Sequence, residues 1–276
     1  MTLIKHQDSN TGNGSGIAGI CLNDFRHSLI ECGIEKGTFV FDSMDKLAAV
    51  AAGVDGDNQG WYLLLDTTAT FDIVNEVGGV REFDLNADNE DGMLVSGGGA
   101  AGFCEIATTV SDRYDIFFET RVKLIDASAC ELFFGIADVS QVAVISATDD
   151  TMDTGRDYIG FHWKPTANTL NIVLNENGAT ETELALASSY ALADDTWVKL
   201  SVRYWTEGAD SGKLQFAIDG EVVQTYRDLT GANGANLAAS VAYDTPMACV
   251  LNVKSQGGAT EAEVDHIAFG CKGENT

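Results

Sequence analysis

Carboxylates are the residues of this chain best placed to do chemistry. The run Asp149-Asp150-Thr151-Met152-Asp153 gathers acidic oxygens on one short loop, with Asp157 just beyond. Hard cations take clustered oxygens from flexible loops, so Asp149, Asp150 and Asp153 form a candidate calcium site. The spacing matches no EF-hand, and the competing reading is a solvated loop. The stretch Asp84-Leu85-Asn86-Ala87-Asp88-Asn89-Glu90-Asp91 carries the same two readings. No other cofactor is expected.

The four histidines, His6, His27, His162 and His266, stand far apart in sequence. His162 lies beside Trp163 on an expected strand, and an aromatic ring can stack on the apolar side of a sugar. His162, Trp163 and Trp205 are therefore candidate glycan-contacting residues, with core packing the competing fate. Gly14-Ser15-Gly16-Ile17-Ala18-Gly19 spells GxGxxG but follows no strand and opens no clear helix, which argues against a dinucleotide site. No serine sits in a G-x-S-x-G elbow, and no local Cys/His pair suggests a nucleophile.

The formal charge of −26 repels phosphate backbones and argues against nucleic-acid binding. It suits solubility, docking on a basic surface, or divalent cations. The six cysteines (Cys21, Cys32, Cys104, Cys130, Cys249, Cys271) are scattered without a CxxC pair, so a zinc knuckle or redox motif is not indicated. Cys104, Cys130 and Cys249 sit in apolar runs and read as small buried hydrophobes. The N-terminus lacks an apolar signal-type region and no run approaches a membrane span, so cytoplasmic synthesis and no membrane partner are expected.

These side chains are positioned by strands. Only two prolines occur against 29 glycines, so turns must rest on Gly, Asn and Asp. Residues 1–59 read as an N-terminal arm or attachment segment: a polar, Gly-rich leader, then a short capped helix from Asp42 or Ser43 to Gly53. From Gly60 the apolar period becomes two. Ile116, Phe118, Thr120, Val122 and Leu124 share one face of Tyr114–Leu124, opposite Phe117, Glu119, Arg121 and Lys123. Val198, Leu200, Val202 and Tyr204 repeat the pattern. Asp219-Gly220 between alternating runs signals a hairpin, and Asn175-Glu176-Asn177-Gly178 another tight turn. Further runs fall near 102–110, 130–138, 157–163, 169–175, 181–187, 247–254 and 263–269. About a dozen strands with one apolar face each and no long helices predict an all-β, two-sheet antiparallel sandwich over residues 60–276.

The ordered segments FFETRVKL (117–124), LFFGIAD (132–138), DYIGF (157–161), TWVKL (196–200), FAIDG (216–220) and VDHI (264–267) resemble the concanavalin A-like lectin/glucanase jelly roll, also seen in laminin-G-type domains. They are similar, more narrowly, to versions of this sandwich in virion structural and capsid decoration proteins of tailed bacteriophages. The resemblance implies a non-enzymatic protein of the virion surface, docked through its N-terminal segment on the major capsid protein or another virion protein. Symmetry axes of a shell favour a homo-oligomer, a trimer among the options. The alternative is a carbohydrate-binding adhesion module whose partners are surface glycans. A third reading, a laminarinase-type hydrolase, needs the E-x-D-x-x-E strand of those enzymes. Glu263-Val264-Asp265-His266-Ile267-Ala268 is its nearest match, and Ala268 stands where the last acid belongs, leaving no second carboxyl for double displacement.

Overall fold

The computed structural model describes residues 37–42, 44, 47–58, 61–74, 79–96, 104–106, 114–138, 142–175, 182–205, 213–226 and 243–273. Residues 1–36, which hold the expected leader and its GxGxxG sequence, lie outside them, as do residues 176–178 of the Asn-Gly turn. In chain order the strands are β1 (Gly37–Asp42), β2 (Gly56–Asn58), β3 (Trp61–Leu65), β4 (Thr70–Ile73), β5 (Arg81–Leu85) and β6 (Asp91–Ser96). They continue as β7 (Cys104–Ile106), β8 (Tyr114–Leu124), β9 (Cys130–Asp138), β10 (Tyr158–Lys164), β11 (Thr169–Asn175) and β12 (Thr182–Tyr190). The last are β13 (Thr196–Trp205), β14 (Lys213–Ile218), β15 (Glu221–Tyr226), β16 (Tyr243–Ser255) and β17 (Thr260–Gly273). No helix long and apolar enough to cross a membrane occurs among the described residues.

Two antiparallel sheets result. The eight-stranded sheet runs β15-β14-β13-β8-β17-β5-β4, and the nine-stranded sheet runs β12-β11-β10-β9-β16-β6-β3-β2. The two longest strands each serve two partners along one side. β17 pairs its first half with β5 and its second with β1, while β16 pairs its first half with β7 and its second with β6. In this way β1 and β7 complete the eight and nine strands. The sandwich thus takes in β1 and β2, upstream of Gly60.

The period-two reading places the core. Ile116, Phe118, Val122 and Leu124 of β8 and Val198, Leu200, Val202 and Tyr204 of β13 pack in one cluster between the sheets. Edge-to-face rings join the layers: Phe118 on Phe134 at 5.6 Å, Phe161 on Phe216 at 5.3 Å, and Trp61 on Phe269 at 5.7 Å. Asp219 (φ 51°) and Gly220 (φ 83°) form the expected hairpin between β14 and β15, both in the left-handed region a primed turn requires. Cys130 and Cys249 are buried free thiols, and burial pushes both far above the usual thiol range.

The capped helix expected between Asp42 and Gly53 is not formed by the described residues there. Asp42 ends β1, and Val50 exchanges two backbone hydrogen bonds with Phe71 of β4, at 2.7 and 3.1 Å. A short helix must cover its own nucleation cost, whereas this chain meets a ready sheet edge.

Candidate functional site

The outward face of the nine-stranded sheet is where polar side chains converge. Its central strands place residues in cross-strand rows. One row runs Asp91, Lys254, Glu131 across β6, β16 and β9. The next runs Met93, Asn252, Phe133, His162, Asn171 across β6, β16, β9, β10 and β11. A third is Val95, Val250, Gly135, Gly160, Val173, in which neither glycine has room for a Cβ.

Residues 142–157, between β9 and β10, lie across this face. Their centre is a small hairpin: Ile145 bridges Met152, Ser146 N donates to Thr151 O, and Asp153 N donates to Val144 O. Val144, Ile145 and Met152 pack with Met93, Val95, Phe133, Tyr158, Val173 and Val250 in a second apolar cluster. Asn252 Oδ1 accepts from Val144 N and Ile145 N, both at 2.9 Å. Arg156 holds the segment's end, pairing with Asp138 and donating to the Val142 and Asp138 carbonyls.

The hairpin tip meets the polar rows. Glu131 and His162 are fully buried, with His162 Nε2 2.6 Å from Glu131 Oε1. Glu131 Oε2 accepts from Gln256 Nε2 and from Asp150 N at 3.2 Å. Lys254 Nζ, itself fully buried, pairs with Asp149 Oδ1 at 3.2 Å. Burial pushes the Glu131 carboxyl up to about 8, against the opposing pull of Gln256 and Lys254. Burial likewise raises Asp91 to about 7. Both acids therefore carry protons in a range where exposed carboxyls have long since lost theirs.

Three expected site residues come together here. Asp149, Asp150 and His162 are joined through Glu131 and Lys254, residues the sequence reading did not single out. They do not form the expected calcium site. Asp149 is spent on Lys254, Asp150 Oδ1 lies 3.4 Å from both Gln256 Nε2 and Thr166 N, and Asp153 Oδ1 caps Gly155 N at 2.9 Å. Their oxygens do not converge, and no cluster of three metal-ligating side chains occurs among the described residues. The loop at 84–91 is also occupied: Glu90 accepts from Thr68 and Ala87, and Asp88 from Gly257 N.

Trp163 does not line this face. Adjacent strand residues point to opposite sides, so with His162 outward, Trp163 points into the core. It is 1% exposed, and its Nε1 donates to Ala127 O at 2.8 Å. A ring so enclosed offers no face to a sugar. Trp205 ends β13 in the other sheet, paired with Lys213, and its side chain lies outside the described residues. The aromatic residue that borders the polar rows is half-buried Tyr62 of β3, beside half-buried Leu64 and opposite Val95.

The outward face of the eight-stranded sheet is polar too, but its groups are committed to one another. A β-bulge between Val264 and His266 turns His266 outward opposite Arg121. His266 lies 3.6 Å from Glu119 and 3.4 Å from Asp265, and Ser201 donates to Glu119. Arg121 binds Asp265 at 2.9 Å and stacks over Trp197 at 4.5 Å. Lys123 joins Glu263 and Asp195. Beyond them Asp72, Glu82 and Glu263 stand directly opposite one another on β4, β5 and β17. Burial, then Glu261, Glu263, Asp84 and Asp72, push Glu82 up to about 7. Glu263 and Asp265 are therefore ion-pair partners, and Ala268 faces Glu119.

Solved structures share this architecture. Peanut lectin superposes with a TM-score of 0.52 at 13% identity, over 87% of this chain and 100% of the lectin. The Emp47p carbohydrate recognition domain gives 0.51 at 12% identity, over 83% and 98%. A protein of unknown function from Shewanella oneidensis MR-1 gives 0.52 at 15% identity, over 92% and 95%. The fold is the concanavalin A-like lectin jelly roll. No protein-family model matches the chain, and a search of curated proteins finds no significant relative.

Proposed function

We propose that this jelly roll is a non-catalytic carbohydrate-binding domain that engages neutral glycans on the outward face of its nine-stranded sheet. The observation that carries the reading is the border of that face: half-buried Tyr62 and Leu64 on β3, with the half-buried carboxyl groups of Asp66 and Asp91 at their end. An apolar ring flanked by fixed hydrogen-bonding groups is what a sugar's two-sided chemistry requires. The acidic surroundings disfavour uronic or sulfated chains. Catalysis is not part of the reading. Glu131 carries a proton like a glycosidase acid, but both its oxygens are engaged beneath the 142–157 segment. The carbohydrate recognition domains among the similar structures support the binding class.

The setting we propose is the virion surface of a tailed phage, with the residues before β1 as the attachment segment and homo-oligomer contacts at the shell. Its support is the string likeness over residues 117–220 and the acidic charge. An immobilised glycan array tests the binding reading with the full chain and Tyr62→Ala. Retention of at least one neutral glycan, lost in the variant, is expected. An array on which the full chain retains nothing neutral, or on which the variant binds unchanged, refutes it. Mass spectrometry of purified virions tests the setting through copy number.

A further inference from the structure

The 144–153 hairpin is held in two unlike ways. At its base the anchors are indifferent to pH: Val144, Ile145 and Met152 in the apolar cluster, and two backbone N–H groups on Asn252 Oδ1. At its tip the anchors are all polar or charged: Asp150 N on Glu131, Asp150 Oδ1 near Gln256 and Thr166, and Asp149 on Lys254. We infer that this hairpin is a proton-controlled lid, latched at its tip while Glu131 is protonated and released when Glu131 ionises.

The charge count around Glu131 gives the direction. His162 of β10 faces it from one side, and Lys254 of β16 from the other. Gln256 donates from the end of β16, and Asp149 and Asp150 approach from the hairpin. Asp91 of β6 lies across Lys254. Lys164 of β10, further along, is spent on Glu183. With Glu131 neutral, Lys254 balances Asp149 beside a neutral carboxyl. With Glu131 ionised, one buried lysine faces Glu131, Asp149, Asp150 and Asp91. The groups free to relieve that crowding are the two on the hairpin, because Glu131 and Asp91 sit on central strands. Asp149 is already 54% exposed by its side chain, so the tip needs little movement to reach water. Lifting the tip hydrates Glu131, restores an ordinary carboxyl and uncovers Glu131, His162 and Lys254, while the base stays on Asn252 and Phe133.

Linkage sets the size of the effect. Glu131 holds its proton up to about 8 in the closed state against an ordinary 4.5 once hydrated, so lid opening gains up to roughly tenfold per pH unit between those values and levels off above about 8. Backbone hydrogen exchange read by mass spectrometry on the full chain tests this, with protection corrected for intrinsic rates. Peptides spanning 142–157 lose protection between pH 6 and pH 8 and little more above, while the β10–β11 peptides keep theirs. Glu131→Gln, which stays neutral, keeps the lid protected at both pH values. Asp150→Asn at the half-buried tip removes a charge that raises Glu131, so the loss of protection is smaller and levels off at lower pH. Equal protection of 142–157 from pH 6 to pH 8 in the unaltered chain overturns the inference. So does an unmoved transition in Asp150→Asn. The readout involves no glycan, so the lid and the carbohydrate-binding reading stand or fall separately.

Discussion

Gly135 and Gly160 lie directly opposite each other on β9 and β10, each backbone filling the space the other's side chain would need. A Cβ on Gly135 meets Ile159 O at 2.2 Å, and one on Gly160 meets Phe134 O at 2.3 Å. Both obstacles are backbone and cannot rotate away. Gly135→Ala should therefore cost about 3 kcal/mol, as severe overpacking does. Urea denaturation will read this as a lower midpoint with an unchanged slope. A variant as stable as the parent would mean the two strands separate more easily than their geometry indicates.

Asn252 should matter more than its size suggests. Its Oδ1 accepts from two hairpin amides, and its Nδ2 reaches Asp91 and the Gly92 carbonyl. Asn252→Ala leaves buried donors without acceptors, a cost of about 2–4 kcal/mol. Limited proteolysis should cut the variant first within 142–157, before the body of the sandwich opens. Cleavage elsewhere first would refute the anchoring role.

Stability should fall as pH rises from mildly acidic to alkaline. Glu131 at about 8, and Asp91 and Glu82 at about 7, hold protons in the native state that the unfolded chain has released. Raising pH through the gap from about 4 to 8 therefore favours unfolding. His266 has the same sign. Burial would lower it, but Asp265 and Glu119 outweigh that and raise it, so its contribution is present below 6.5 and lost as pH climbs through the raised value. Glu90, Glu119 and Asp265 are held low by their partners against burial, and their contribution disappears in acid. Thermal midpoints should rank pH 5.5 above 7.5 above 9. A profile that rises across that range contradicts the assignment.

Trp163 and Tyr62 should part company on substitution. Trp163→Ala empties a core position and should cost about 3–5 kcal/mol, with any glycan loss tracking loss of fold. Tyr62→Ala should lower the melting temperature little and remove glycan retention. Measuring both quantities on both variants decides which aromatic residue binds and which only packs.

The strands were legible because alternation is a local signal. Tyr114–Leu124 shows it plainly, with four of its five inward residues in the core cluster. The aromatic candidate failed for the same rule applied one step short: on a strand, His162 facing outward sends Trp163 inward. The site itself was hidden because it is lateral. Asp91, Lys254 and Glu131 are far apart in the chain and meet only through strand pairing. No spacing rule joins Glu131 to Asp150, since their contact depends on a loop folding back over a sheet. The bulge at Asp265 likewise leaves no mark in an otherwise regular run.

The row of Asp72, Glu82 and Glu263 ends at β4, the outermost strand of its sheet. The outer side of β4 is already covered at Phe71 by Val50, and two molecules approaching beside it would bring acid against acid. This border is thus self-repelling in neutral solution. Acidification removes the repulsion, so the approach of two such acidic faces, rather than strand addition at β4, is the self-association to watch for when the protein is stored at low pH.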